Sequence, residues 1–173
     1  MATRLLYDPT VTNVDVVSSV TETTWASWVI PANTLKTNQV VKVTIIWDFL
    51  NNTGAGDFFT LRVKYGATTV FADASAAITA GAARRDGVLE FWLMGDTATN
   101  VQLLRGRMQL GAQSAATTGS GDLAGTFGMS GAPWGGTAAE DSTANKTLAV
   151  TIQNNVNSIN FSVRLLEAHI EVL

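Results

Sequence analysis

The chain has 173 residues, enough for one domain that buries its own core without a disulfide or metal staple. It contains no cysteine, which excludes disulfide frameworks, cysteine-bound zinc and thiol nucleophiles together. Its net charge is −3, and 14% of its residues are charged against about 25% in an average soluble domain, which leaves no basic surface for nucleic acid.

Residues 1–20, "MATRLLYDPTVTNVDVVSSV", read as an N-terminal arm ahead of a single domain spanning 21–173. They lack the charged-then-apolar layout of a signal peptide, and no apolar run nears the roughly 20 residues of a membrane span. "TTWASWVI" is a strand stopped by Pro31, which has no N–H for a ladder. In "VVKVTIIWDFL", Val41, Val43, Ile45, Trp47 and Phe49 occupy alternate positions, and Phe59, Leu61, Val63 and Tyr65 do the same after "NNTGAGD". This spacing predicts two strands joined as a hairpin, each with one apolar face. Gly66-Ala67 is a tight turn into the short strand "TTVFAD".

"ASAAITAGAARRDG" is small and alanine-rich and ends in a turn. Strands follow at "VLEFWLMG", "NVQLLRGRMQLG", "KTLAVTIQNN" and "INFSVRLLEAHIEVL". The last changes phase at Leu165-Leu166, with Leu166, Ala168, Ile170 and Val172 on the opposite side from Phe161, Val163 and Leu165, as a bulge or a crossing between sheets requires. Eight or nine strands without an amphipathic helix predict an all-β antiparallel sandwich, best a jelly roll, with an immunoglobulin-type sandwich second. Between the strands lies one long Gly/Ala/Ser/Thr-rich loop, 111–145, carrying Phe127, Met129 and Trp134 as candidate partner contacts.

Catalytic chemistry finds little to work with. His169 is the one histidine, flanked by Glu167 and Glu171 on the last strand, and "GMSGA" is not a nucleophile elbow. One histidine cannot supply the several-histidine metal set of a cupin. Asp48, Asp57, Glu90 and Glu167 are the carboxylates from which a glycosidase pair would have to be drawn, and the positions of Asp48 and Glu90 on the polar faces of their strands read as solvation. No phosphate-cradling loop is present, and "GSGDLAG" lacks the spaced carboxylates of a calcium loop. No catalytic residue, metal or cofactor is expected. Arg105 and Arg107 are two apart on one strand and project to one face, where a carboxylate or sugar could be bridged.

The informative face is the one that should be polar and is not. Val88, Trp92 and Met94 share a side of their strand with Glu90, and Ile46 and Leu50 share a side of theirs with Lys42, Thr44 and Asp48. Aromatic and methionine side chains on an outer sheet face are enriched at subunit interfaces, so these five residues are the expected self-contact.

The segments "SWVIPANTL" (27–35), "DFLNNTG" (48–54), "FTLRVKYG" (59–66), "GSGDL" (119–123) and "GTAAEDSTANKTLAVTIQ" (136–153) give the chain a resemblance to bacteriophage virion proteins with a jelly-roll domain, found as capsid cement or decoration proteins and in head or tail fibres. The resemblance implies a non-enzymatic homotrimer in the virion, assembled in the host cytoplasm. The Trp92–Met94 face would lie around the trimer axis, and Leu5, Leu6 and Tyr7 of the arm would grip the major capsid protein. The alternative is a receptor- or glycan-binding module of a fibre, with Trp134 and Asp122 or Glu140 as its sugar platform. Nucleic acid and membrane are not expected partners.

Overall fold

The computed structural model describes residues 4–5, 14–75, 77–110 and 134–173; side chains are described for these except 4, 5 and 110. The described strands are β1 (Arg4–Leu5), β2 (Asp15–Val17), β3 (Thr23–Ile30), β4 (Val40–Asn51), β5 (Phe59–Tyr65), β6 (Thr68–Ala74), β7 (Gly81–Gly95), β8 (Gln102–Leu110), β9 (Trp134–Ala138), β10 (Lys146–Asn154) and β11 (Phe161–Val172). They form a seven-stranded sheet A, in the order β1-β11-β4-β7-β8-β9 with β2 also on β11, and a four-stranded sheet B, in the order β3-β10-β5-β6. All pairings are antiparallel, and the sheets pack face to face in the expected jelly-roll sandwich.

The alternating residues of β4 and β5 all point inward, and Val41, Val43, Ile45, Trp47, Phe49, Phe59, Leu61 and Val63 are wholly buried. The two strands nevertheless form no hairpin. β4 lies in sheet A between β11 and β7, and β5 lies in sheet B between β10 and β6. Period two specifies a buried face, not a neighbour, so "NNTGAGD" is a crossover between layers. Asn51 pins it, its Nδ2 donating to the carbonyls of Ala55 at 2.9 Å and Ile78 at 2.7 Å. The hairpin partner of β5 is β6, across a turn in which Gly66 takes φ 59°, a left-handed value that favours glycine.

A chain of aromatic rings fills the space between layers. Trp47 meets Trp25 at 5.9 Å and Phe59 at 5.7 Å, both edge-on, and Phe49 meets Phe161 at 5.2 Å. Such contacts add about 1 kcal/mol each beyond area burial. Leu148, Val150 and Ile152 of β10 and Leu89, Phe91 and Leu93 of β7 complete the core as expected.

Three expectations change, and the expected phase change in the last strand resolves as a bulge. Residues 81–87 are not a turn but the first half of β7, where Gly87 faces the Trp47 ring so closely that a Cβ would lie 2.3 Å from it. The phase change in β11 is a bulge between Leu165 and Glu167, so Leu165, Ala168 and Ile170 all face the core. Residues 1–20 are not simply an arm outside the domain: β1 and β2 both pair with β11, and Val16 is core. The stretch 111–145 is not one loop, because β9 at its far end pairs with β8. Residues 111–133, with Phe127 and Met129, lie outside the described residues, as do Leu6 and Tyr7.

β9 and β6, at the edges of sheets A and B, close on each other. Trp134 stacks on Phe71 at 4.1 Å between centroids and 23° between planes, and it packs against the core. Gly136 permits the approach, since a Cβ there would fall 1.8 Å from the Val70 carbonyl oxygen.

Candidate binding face

Sheet A's outer surface is a grid whose columns are strands and whose rows are set by register. One row runs Glu171, Lys42, Trp92, Arg105, Gly135 across β11, β4, β7, β8 and β9. The next runs His169, Thr44, Glu90, Arg107, and the third Glu167, Ile46, Val88, Gln109. On the other side of the Trp92 row lie Val40, Met94, Leu103 and Thr137. Alternation does place Ile46, Leu50, Val88, Trp92 and Met94 on one face, each half-buried. Ile46 and Val88 sit side by side, and Met94 is one row from Trp92; Leu50 stands apart, opposite Ser162.

Charged rows separate these apolar groups. Arg107 Nε donates to Glu90 at 2.7 Å, a second guanidinium nitrogen bonds the same oxygen, and Lys42 approaches the other oxygen at 3.6 Å. Asp48, nearly enclosed, accepts from Arg164 and faces Arg84 at 3.3 Å. Arg84 continues to Ser162 at 2.7 Å and to Asp15 at 3.8 Å. His169 Nε2 lies 2.7 Å from Glu167. Asp57 accepts from Thr53 at 2.5 Å and from Asn155 at 3.0 Å. Thus each carboxylate considered for catalysis has its own partner. Among the described residues, no three His, Cys, Asp or Glu gather as a metal site, and no helix is long and apolar enough to cross a membrane.

Sheet B carries Arg62, Lys64, Thr151 and Gln153 on its outer side, with Val29 of β3 exposed. Glu22 accepts from Lys64 and, at 2.7 Å, from Thr151, with Arg62 at 3.6 Å. Glu140, offered above as part of a sugar platform, is engaged by Lys146 at 2.8 Å, Thr68 at 2.8 Å and the Ala67 N–H at 2.9 Å. Its proposed companion Trp134 is turned into the β6–β9 seam, and Asp122 lies outside the described residues.

These contacts hold three carboxyls below the usual glutamate value of 4.5: Glu90 chiefly through the Arg107 hydrogen bond, Glu22 through that of Lys64, and Glu140 through that of Lys146. A depressed folded value means the unfolded chain takes up protons first, so the stability these groups supply is complete above about pH 4.5 and drains as acid is added. The expected result is a urea midpoint that falls between about pH 5 and about pH 3, with a smaller fall in Glu90→Gln. Tyr65 acts at the other end. Burial, then the Glu140 and Asp141 carboxylates, push its hydroxyl up to about 12, so its contribution is lost as pH rises from 10 through that value.

The sequence matches no protein-family model and no curated protein. Among solved structures, the chain is similar to the CBM2 module of the evolved Dit of Lactobacillus casei BL23 phage J-1, at 13% identity and a TM-score of 0.42, over 84% of this chain and 67% of that one.

Proposed function

We propose that this protein is a non-enzymatic β-sandwich module of a phage virion that binds a receptor glycan on the outer face of sheet A. The observation that carries this reading is the place of Trp92. Trp25, Trp28 and Trp47 are buried and Trp134 closes the seam, leaving Trp92 as the tryptophan on an outer face. Lys42 and Arg105 stand in register on either side of it, with Glu90 and Arg107 in the next row. An aromatic ring offers a sugar its apolar face, and polar side chains around it fix orientation. This moves the platform from Trp134 to Trp92.

Capsid cement, trimeric through the same face, is the second reading. The adjoining Ile46 and Val88, with Met94 near Trp92, favour it. Against it stand the Lys42–Glu90–Arg107 and Arg84–Asp48–Arg164 groups, which a dry subunit contact would desolvate at several kcal/mol per ion.

Trp92→Ala is expected to weaken glycan binding at least about tenfold on an array and in titration, with little change in melting temperature. Undiminished binding would remove Trp92 from the site. Light scattering on the same variant separates the readings: a wild-type trimer that dissociates on substitution, with no sugar recognised by either form, favours cement.

A further inference from the structure

We infer that the ligand on the Trp92 row carries an anionic group, a carboxylate or a phosphate, received by Arg105; this rests on the glycan-binding reading above. Lys42, Arg62, Lys64, Arg84, Arg107, Lys146 and Arg164 all stand in ion pairs within the fold. Among the described residues the exposed Arg105 and Lys36 are in none, and of these two it is Arg105 that stands directly beside the outward tryptophan.

Nor is its guanidinium loose. Nη1 donates to the Leu104 carbonyl at 2.8 Å, and the side chain lies over Gly135, where a Cβ would come within 2.7 Å of that nitrogen. A bare glycine on β9 therefore makes the bed in which the guanidinium rests. One donor is spent on holding it there, and the others remain for a ligand. A planar fork fixed in this way suits the paired oxygens of a carboxylate or phosphate.

The surrounding charge agrees. Lys42, Arg105 and Arg107 flank Trp92 against Glu90, and the next carboxylate, Glu171, lies beyond Lys42 on the far side from β8. On the β8 side of the ring stand Arg105 and Arg107, and since Arg107 is held by Glu90, the unpaired positive charge there is that of Arg105. A sugar stacked on Trp92 would meet Arg105 with the substituent it points toward β8.

The test titrates the full chain with a neutral glucose oligosaccharide, a glucuronate-containing oligosaccharide and a glycerol-phosphate polymer, each at low and high salt. An acidic probe is expected to bind at least about tenfold tighter than the neutral one and to weaken as salt rises. Which acidic probe binds tells carboxylate from phosphate. Arg105→Gln should reduce acidic binding to the neutral level, Arg105→Lys should restore it in part, and Trp92→Ala should remove both. Equal affinity for neutral and acidic probes, or Arg105→Gln binding the acidic probe as wild type does, overturns the inference. So does failure of both acidic probes to bind, and the neutral probe then shows whether the glycan reading survives. Arg105 is exposed, so unfolding is not the expected outcome, and an unchanged melting curve checks this.

Discussion

Trp47→Ala is expected to lower the unfolding free energy by about 4 kcal/mol and the melting temperature by about 12 °C for a domain of this size. Trp47 is wholly buried, touches Trp25 and Phe59 edge-on, and lies against the bare backbone of Gly87. Truncation leaves a cavity between the layers that the rigid sheets on either side cannot collapse to fill. The glycine gives the reciprocal test. Gly87→Ala alone should destabilise, because its Cβ would lie 2.3 Å from a ring with nowhere to go. Combined with Trp47→Ala, the same methyl group should cost much less, a non-additivity that calorimetry on the double variant measures.

Asp48→Ala is expected to cost about 3 kcal/mol, read as a lower urea midpoint at neutral pH. Asp48 is nearly enclosed, whereas the side chains of Arg84 and Arg164 are about one-third exposed, so solvent softens the loss without removing it. Removing the carboxylate leaves the Arg84 and Arg164 guanidiniums without their shared partner, with Asp15 and Asp86 as more distant anions. Asp48→Asn should recover the packing but not the charge. An Asp48→Asn stability equal to wild type would mean the cluster acts by shape rather than by electrostatics.

Whole strands were legible where alternation ran unbroken. β4, β5, β10 and the second half of β7 follow from period two because one face of each is buried and the other is not. The pairing partners of β4 and β5 are not legible for the same reason: alternation reports a buried face and is silent about which sheet supplies it. Residues 81–87 and β9 were lost to their glycines. Gly87, Gly135 and Gly136 suggest turns when read locally, yet Gly87 makes room for a ring, Gly135 for a guanidinium and Gly136 for a carbonyl. Those neighbours are distant in sequence, so the physical cause is invisible along the chain. The outer face shows the same division. The outward side of Trp92 and the pair Arg105–Arg107 could be read from spacing alone. That Arg107 is spoken for by Glu90 while Arg105 is not depends on register between strands and on Leu104 and Gly135.

The inward-turned indoles have one more consequence. Trp25, Trp28, Trp47 and Trp134 hold their Nε1 groups buried and without a hydrogen-bond acceptor. Trp25, Trp28 and Trp47 are buried as whole side chains, so their fluorescence is shielded from an aqueous quencher such as iodide, and the emission that iodide reaches comes from Trp92 and from the partly covered Trp134. The molecule carries its own optical probe at the place where a ligand would sit, readable without any label.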